Sequence, residues 1–352
     1  MGLGYNFVIW SSQKKKYDRI ILFFVLGYLV LYTLGFVLAN PQGSVETLII
    51  RATGSLALFM LTFILSIGPL SRLDRRLLPI LYNRRHLGVS MFLVATLHGI
   101  FNVVHFHALG DINPFLSVFA SNLDYVSFIN FPFQVLGFFA LIILFFMAST
   151  SHDFWLANLS PKVWKALHMM VYVAFLLAVM HVALGAFQNE RSVFLIVWAI
   201  LSVLTVTVLH LVAGAREKRK DGEQEPVEEG WVCAGQVEEI PEKRARVINI
   251  GGERVAVYKY DGKISAVSNV CKHQNGPLGE GKIVDGCITC PWHGYQYEPH
   301  NGSSPPPFTE KVATYKVKVV KGKAFVEAKA QKEGTAVKPA EISDEKNSDN
   351  EG

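Results

Sequence analysis

The chain has 352 residues, of which 51% are apolar and only 18% charged, with a net charge of +5. Average soluble domains carry about 25% charged residues, which excludes a uniformly water-soluble chain. The basic residues gather at the ends of apolar runs, which reads as membrane orientation and not as a nucleic-acid surface. Residues 1–213 are apolar with sparse charge, whereas 214–352 hold most of the Lys and Glu.

A membrane span needs about 20 mostly apolar residues. Six runs qualify: 20–38, 48–67, 87–106, 128–147, 163–184 and 193–212. The first follows Lys14, Lys15 and Lys16 but is too long for the apolar core of a cleavable signal. Residues 1–213 are therefore predicted to form an all-α six-helix membrane bundle. Lys and Arg mark the N-terminus (Lys14–Lys16, Arg19), the loop after the second run (Arg72, Arg75, Arg76, Arg84, Arg85), the loop after the fourth (Lys162, Lys165) and the segment after the sixth (Arg216, Lys218, Arg219, Lys220). The opposite loops offer only Arg51 and Arg191. Both termini are predicted on the cytoplasmic side of a multi-pass, bacterial-inner-membrane type of protein.

Residues 214–230 read as a charged linker. From 231 to 328 short alternating runs, such as 254–260 and 315–320, are separated by Gly251-Gly252, Asp261-Gly262 and Lys321-Gly322. That pattern predicts a small all-β domain. Residues 329–352 are rich in Lys, Glu, Ser, Asp and Asn and are expected to be a disordered tail.

All four cysteines, Cys233, Cys271, Cys287 and Cys290, fall in the second part. Cys271-Lys272-His273 is followed, after sixteen residues, by Cys290-Pro291-Trp292-His293. Each box supplies one thiolate and one imidazole. Two Cys and two His also suit Zn²⁺, but zinc fingers pair Cys with Cys and His with His along the chain. The interleaved order, with Gly276-Pro277-Leu278-Gly279 and Gly294-Tyr295 completing the boxes, resembles the Rieske family over about residues 231–328. The resemblance implies a [2Fe–2S] cluster with Cys271 and Cys290 on one iron and His273 and His293 on the other. Quinol-oxidising members carry a disulfide where this chain has Gly276 and Trp292, and a sulfide-bonding serine where it has Tyr295. Tyr297 matches the family tyrosine. Fewer hydrogen bonds to sulfur predict a potential in the lower part of the range of roughly −150 to +300 mV. Cys233 and Cys287 read as spare thiols.

Ionisable residues inside a membrane are costly and usually functional. The third run holds His98, with His86 at its inner end and His105 and His107 at its outer end. The fifth holds His168 and His181, thirteen residues and about 20 Å apart along a helix. Core histidines hydrogen-bonded between helices are the simpler reading of any one of them. Arg84-Arg85-His86-Leu87-Gly88-Val89, Leu97-His98, Trp164-Lys165-Ala166-Leu167-His168 and His181, however, resemble the ferric-reductase-like transmembrane family over about residues 45–185. That resemblance implies one or two b-type haems held by His98, His168 and His181, with His86 or His105 as a fourth ligand. By depth, His181 aligns with His98 or His105, and His168 with His86. His152, His210 and His300 stand in no motif.

Relatives in that family carry a flavin and nicotinamide module, and here the β domain stands in its place. The expected function is membrane electron transfer between a cytoplasmic cluster and intramembrane haem. A soluble reductase or ferredoxin-type donor is expected on the cytoplasmic side, with a quinone or far-side redox partner beyond. One rival reading is a Rieske-fed membrane oxygenase or desaturase, which needs a two-His-one-carboxylate iron site, yet the spans place no Asp or Glu beside their histidines. The other is a non-enzymatic redox sensor.

Overall fold

A computed structural model describes residues 12–81, 84–127, 130–152, 155, 159, 161–190, 193–222, 227–273, 275–292, 294–306 and 308–342. The chain divides into two compact units, Met1–Ala213 and Gly214–Gly352.

The first unit is helical: α1 (Ser12–Ala39), α2 (Val45–Leu73), α3 (Leu78–Leu81), α4 (Arg84–His107), α5 (Pro114–Ala120), α6 (Phe133–Ser149), α7 (Pro161–Met169), α8 (Val171–Gly185) and α9 (Val193–Gly222). Among the described residues five stretches are long and apolar enough to cross a membrane: Lys15–Ala39, Val45–Leu73, Arg84–His107, Val163–Gln188 and Val193–Arg219. The six-span expectation meets a shorter element at its fourth run, since α6 has 17 residues and starts after Pro132. Proline has no N–H to give a helix interior and favours its first turn. The fifth run breaks at Met170, whose N–H turns back to Leu167 O at 3.1 Å. Leu56, Leu58 and Leu61 of α2 form one core with Met91 of α4, Leu144 of α6 and Phe175 of α8. Phe23, Leu31, Leu38 and Leu211 face outward, as helices in lipid can and helices in water rarely do.

The second unit is antiparallel β: β1 (Val227–Glu228), β2 (Trp231–Gln236), β3 (Arg244–Ile250), β4 (Glu253–Tyr260), β5 (Lys263–Ser268), β6 (Lys282–Val284), β7 (Cys287–Thr289), β8 (Gln296–Tyr297), β9 (Thr314–Tyr315), β10 (Val317–Val320), β11 (Lys323–Glu327) and β12 (Ala340–Glu341). The sheets run β1-β2-β11-β10, β12-β5-β4-β3 with β9 also on β5, and β6-β7-β8. Hairpins turn on Gly251-Gly252, Asp261-Gly262 and Lys321-Gly322, every one of these residues having φ above zero. Such two-residue turns match the twist of the strands they join. Val232, Ile248, Val255, Val257, Ile264 and Tyr315 fill the core.

Two sequence expectations are corrected. The charged linker is not irregular throughout, because residues 214–222 continue α9 and Val227 pairs with Val232. Ala, Arg, Glu and Lys are strong helix formers, so a change from apolar to charged residues does not end a helix. The expected disordered tail is ordered over 329–342. Gln331 N–H donates to Thr314 O at 2.8 Å, Val337 N–H to His300 O at 2.7 Å, and Ala340 pairs with Ile264 on β5. Backbone hydrogen bonds hold this strap, and side-chain composition does not report them. Residues 223–226 and 343–352 lie outside the described residues.

Candidate metal centres

Two loops of the β unit share one backbone pattern. In the first, after β5, Cys271 N–H donates to Gly276 O at 2.9 Å and Asn275 N–H to Cys271 O at 2.7 Å. In the second, between β7 and β8, Cys290 N–H donates to Tyr295 O at 2.8 Å and Gly294 N–H to Cys290 O at 3.0 Å. Asn275 and Gly294, equivalent positions, have φ of 58° and 73°; Asn and Gly tolerate that region best. Cys271 and Cys290 are each 1% exposed. The loops lie close together, since a Cβ on Gly276 would come within 2.7 Å of Cys290 Sγ.

The His273 ring stacks on Tyr295, with centroids 4.6 Å apart and planes 7° from parallel. The Tyr295 hydroxyl donates to Glu310 Oε2. Burial first, and then Glu310, push the Tyr295 pKa up. Burial opposes ionisation of Glu310, but hydrogen bonds from Tyr295 and from backbone N–H groups outweigh it and hold the carboxyl below its ordinary value. Tyr297 Oη lies 3.3 Å from Cys271 Sγ and accepts Lys272 N–H at 3.0 Å. Burial, then the Cys271 sulfur, raise the Tyr297 pKa, so the phenol keeps its proton. A thiolate only accepts, which makes Tyr297 the donor. His293 lies outside the described residues.

Among the described residues no three His, Cys, Asp or Glu side chains converge as ligands of a single ion. A [2Fe–2S] group of the Cys₂His₂ kind asks for no such convergence, because each iron takes only two protein ligands. Buried thiols on matched loops, an imidazole held by a stacked ring and a phenol at one sulfur fit that group. The Tyr295–Glu310 pair was not legible in the sequence: Glu310 lies fifteen residues downstream in a stretch without periodicity.

In the helical unit, His98 of α4 and His181 of α8 face one another with ring centroids 6.0 Å apart and planes at 78°. His98 Nδ1–H donates to Ile50 O of α2 at 2.9 Å, and His181 Nδ1–H to Phe133 O of α6 at 2.9 Å. Carbonyl oxygens only accept, so both rings carry hydrogen on Nδ1 and keep Nε2 as the metal-binding nitrogen. The two rings line a cavity of about 570 Å³ whose walls are mostly apolar, including Leu58, Met91, Leu141 and Leu144. Two neutral imidazoles on one apolar cavity are a donor set that could hold a haem iron.

The other histidines are engaged elsewhere. His168 stacks on Trp164 with centroids 3.7 Å apart and donates Nδ1–H to Trp164 O at 3.1 Å. His86 Nδ1 sits 2.8 Å from Asp18 Oδ1, joining α4 to α1. His105 is exposed, its ring edge against Phe106. Among the described residues none of these three lines the His98–His181 cavity. Buried His107 bridges Ser117 Oγ at 2.9 Å and Gln134 Oε1 at 3.0 Å, tying α4 to α5 and α6; its position at the outer end of a span was the only sequence signal.

Comparison with known proteins bears on both units. Residues 230–316 match the Rieske [2Fe–2S] domain. Residues 51–179 match the ferric reductase like transmembrane component, a range that contains His98 and His168 and stops two residues before His181. The chain is 30% identical over 92 residues to the ferredoxin component of the naphthalene 1,2-dioxygenase system of Pseudomonas aeruginosa, covering 26% of this chain and 88% of that one. It is 29% identical over 97 residues to the ferredoxin subunit of anthranilate 1,2-dioxygenase from Burkholderia cepacia, covering 27% and 90%. Against cholesterol 7-desaturase of Xenopus laevis it is 34% identical over 104 residues, 28% of this chain but only 23% of the desaturase. A membrane-type helical unit and a cluster-type β unit thus stand in one polypeptide, and the chain belongs to the Rieske [2Fe–2S] family through residues 230–316, joined to a ferric reductase-like transmembrane component over residues 51–179.

Proposed function

We propose that this protein is a membrane electron-transfer component that passes electrons between a cytoplasmic Rieske cluster and an intramembrane b-type haem. Cys271 and Cys290 would hold one cluster iron, and His273 and His293 the other. His98 and His181 would hold the haem iron. The observation that carries the reading is the facing His98–His181 pair in an apolar cavity, in a chain that also holds a Rieske domain.

When bound, the two groups would supply one-electron carriers. The residues do the rest. Tyr297 donates to the Cys271 sulfur and Tyr295 braces His273. Met91, Leu141 and Leu144 give the histidine pair an apolar surround, and Ile50 and Phe133 orient its rings.

The membrane unit, over 1–213, crosses the bilayer six times in this reading, with α6 as the short span. The Lys and Arg distribution supports both termini on the cytoplasmic face. The ferredoxin relatives support a soluble reductase or ferredoxin-type donor there, with a quinone or far-side acceptor across the membrane. The cholesterol 7-desaturase likeness covers 23% of that protein, so its chemistry is not carried over.

Optical and EPR spectra of the detergent-purified full chain, with iron, sulfide and haem assays, test the reading. The expected result is about two cluster irons in a mixed Cys/His environment and one low-spin haem per chain. Colourless protein, or zinc in place of iron, overturns it.

A further inference from the structure

The His98 and His181 rings are held by the same device, built twice on different helices. In α2 the carbonyl that accepts His98 Nδ1–H belongs to Ile50, and four residues later stands Gly54. In α6 the carbonyl that accepts His181 Nδ1–H belongs to Phe133, and four residues later stands Gly137. A Cβ on Gly54 would lie 2.8 Å from both Nδ1 and Cε1 of His98, and one on Gly137 would lie 2.8 Å from Nδ1 and 2.9 Å from Cε1 of His181.

The spacing has a physical reason. Every Cα–Cβ bond in an α-helix tilts toward the N-terminus, so the side chain at position i+4 overhangs the surface around position i. The carbonyl of residue i already accepts the amide of residue i+4, and only its second lone pair is left to an outside donor. A side chain at i+4 covers the approach to that lone pair. Glycine uncovers it.

We propose that Gly54 and Gly137 are the positioning residues of the haem site: each opens one helix carbonyl to one histidine of the pair, fixing the ring's tautomer and its direction. The inference rests on the haem reading and names the residues that aim the ligands. The histidine ring is rigid, so it cannot yield to a Cβ by flexing. It turns about its own bonds, which breaks the hydrogen bond to the carbonyl and redirects Nε2. Loss of such an outer partner typically costs about 10–100-fold in metal affinity.

The test compares Gly54→Ala and Gly137→Ala with Gly35→Ala in the purified full-length protein. Gly35 lies on α1, where a Cβ would meet nothing within 4 Å, and it is not part of the histidine cavity. Helix content by circular dichroism and the EPR signal of the Rieske cluster report folding independently of haem. The expected result is a shifted low-spin haem EPR signal and about 10–100-fold weaker haem retention in Gly54→Ala and Gly137→Ala, with helix content and cluster signal intact, and a wild-type haem spectrum in Gly35→Ala. Wild-type haem spectra in both histidine-facing variants overturn the proposal, and so does an equal change in Gly35→Ala. Loss of helix content together with haem assigns the glycines to folding and also overturns it. If the wild-type protein itself binds no haem, the underlying haem reading fails first, and the two failures are told apart.

Discussion

His98 and His181 meet ring to ring, centroids 6.0 Å apart, although 83 positions separate them in the chain and each is anchored to a carbonyl of a different neighbouring helix. Nothing in the spacing along either helix sets that distance. It is produced by α2 packing on α4 and α6 packing on α8, which bring the two anchoring carbonyls, and hence the two rings, to one depth.

Replacing either ring is expected to remove haem. His98→Ala and His181→Ala should each lower the haem-to-chain ratio by more than the 10–100-fold that loss of an outer-shell partner costs. His168→Ala should leave most haem in place, since that ring does not line the His98–His181 cavity. Haem quantitation on the three purified variants decides, and equal loss from all three would contradict the pairing.

Tyr297→Phe removes the phenol that donates to Cys271 Sγ. A hydrogen bond to a cluster sulfur stabilises the reduced, more negative state. The midpoint potential of the variant should therefore fall, as voltammetry or an EPR-monitored titration would show. A rise would reverse the assignment of donor and acceptor.

Burial first, with the Glu253 carboxylate beside it, lifts Tyr315 from 10.0 to about 12. The folded state therefore binds a proton that the unfolded state releases between those values. The stabilisation is complete below pH 10 and is lost as pH rises toward about 12. One such group contributes a slope of less than about 1.4 kcal/mol per pH unit inside that window. Denaturant unfolding of the β unit, followed by cluster absorbance, should show a shallower decline in Tyr315→Phe. An unchanged slope would remove Tyr315 from the alkaline transition.

The strap over 329–342 contributes backbone hydrogen bonds to Thr314, Val312 and His300 and a strand pairing to β5. Net values of about 1 kcal/mol each, offset by the entropy of ordering the segment, leave a loss on the order of 2 kcal/mol when it is deleted. Truncation after residue 328 should therefore lower the melting temperature of the β unit relative to truncation after 342. Glu333→Ala, which breaks only the half-exposed pair with Lys272, should cost under about 1 kcal/mol. A strap deletion that leaves the melting temperature unchanged would show that the segment only rests on the surface.

Properties carried by neighbours in the chain were legible in the amino-acid order. Apolar runs of membrane length, glycine-centred hairpin turns and the two Cys–His boxes each need only a short window, because hydrophobic burial, turn geometry and ligand chemistry act over a few residues. The same windows misled where a backbone partner lay far away. The strap over 329–342 reads as tail because its partners, Thr314, His300 and Ile264, are backbone groups reached only after folding. Charge alone ended the last helix too early, since 214–222 is good helix sequence whatever its solvent.

By itself, then, the sequence determined the solvent of each half and which side chains are chemically fit to hold iron. The fold alone decided which histidine faces which, that His86 is engaged by Asp18 and His168 by Trp164, and that Gly54 and Gly137 open the carbonyls beneath two of the rings. The reason is range. A ligand's identity is a property of one residue, whereas its direction is set by whatever helix packs against it, and that neighbour is chosen by the whole hydrophobic core.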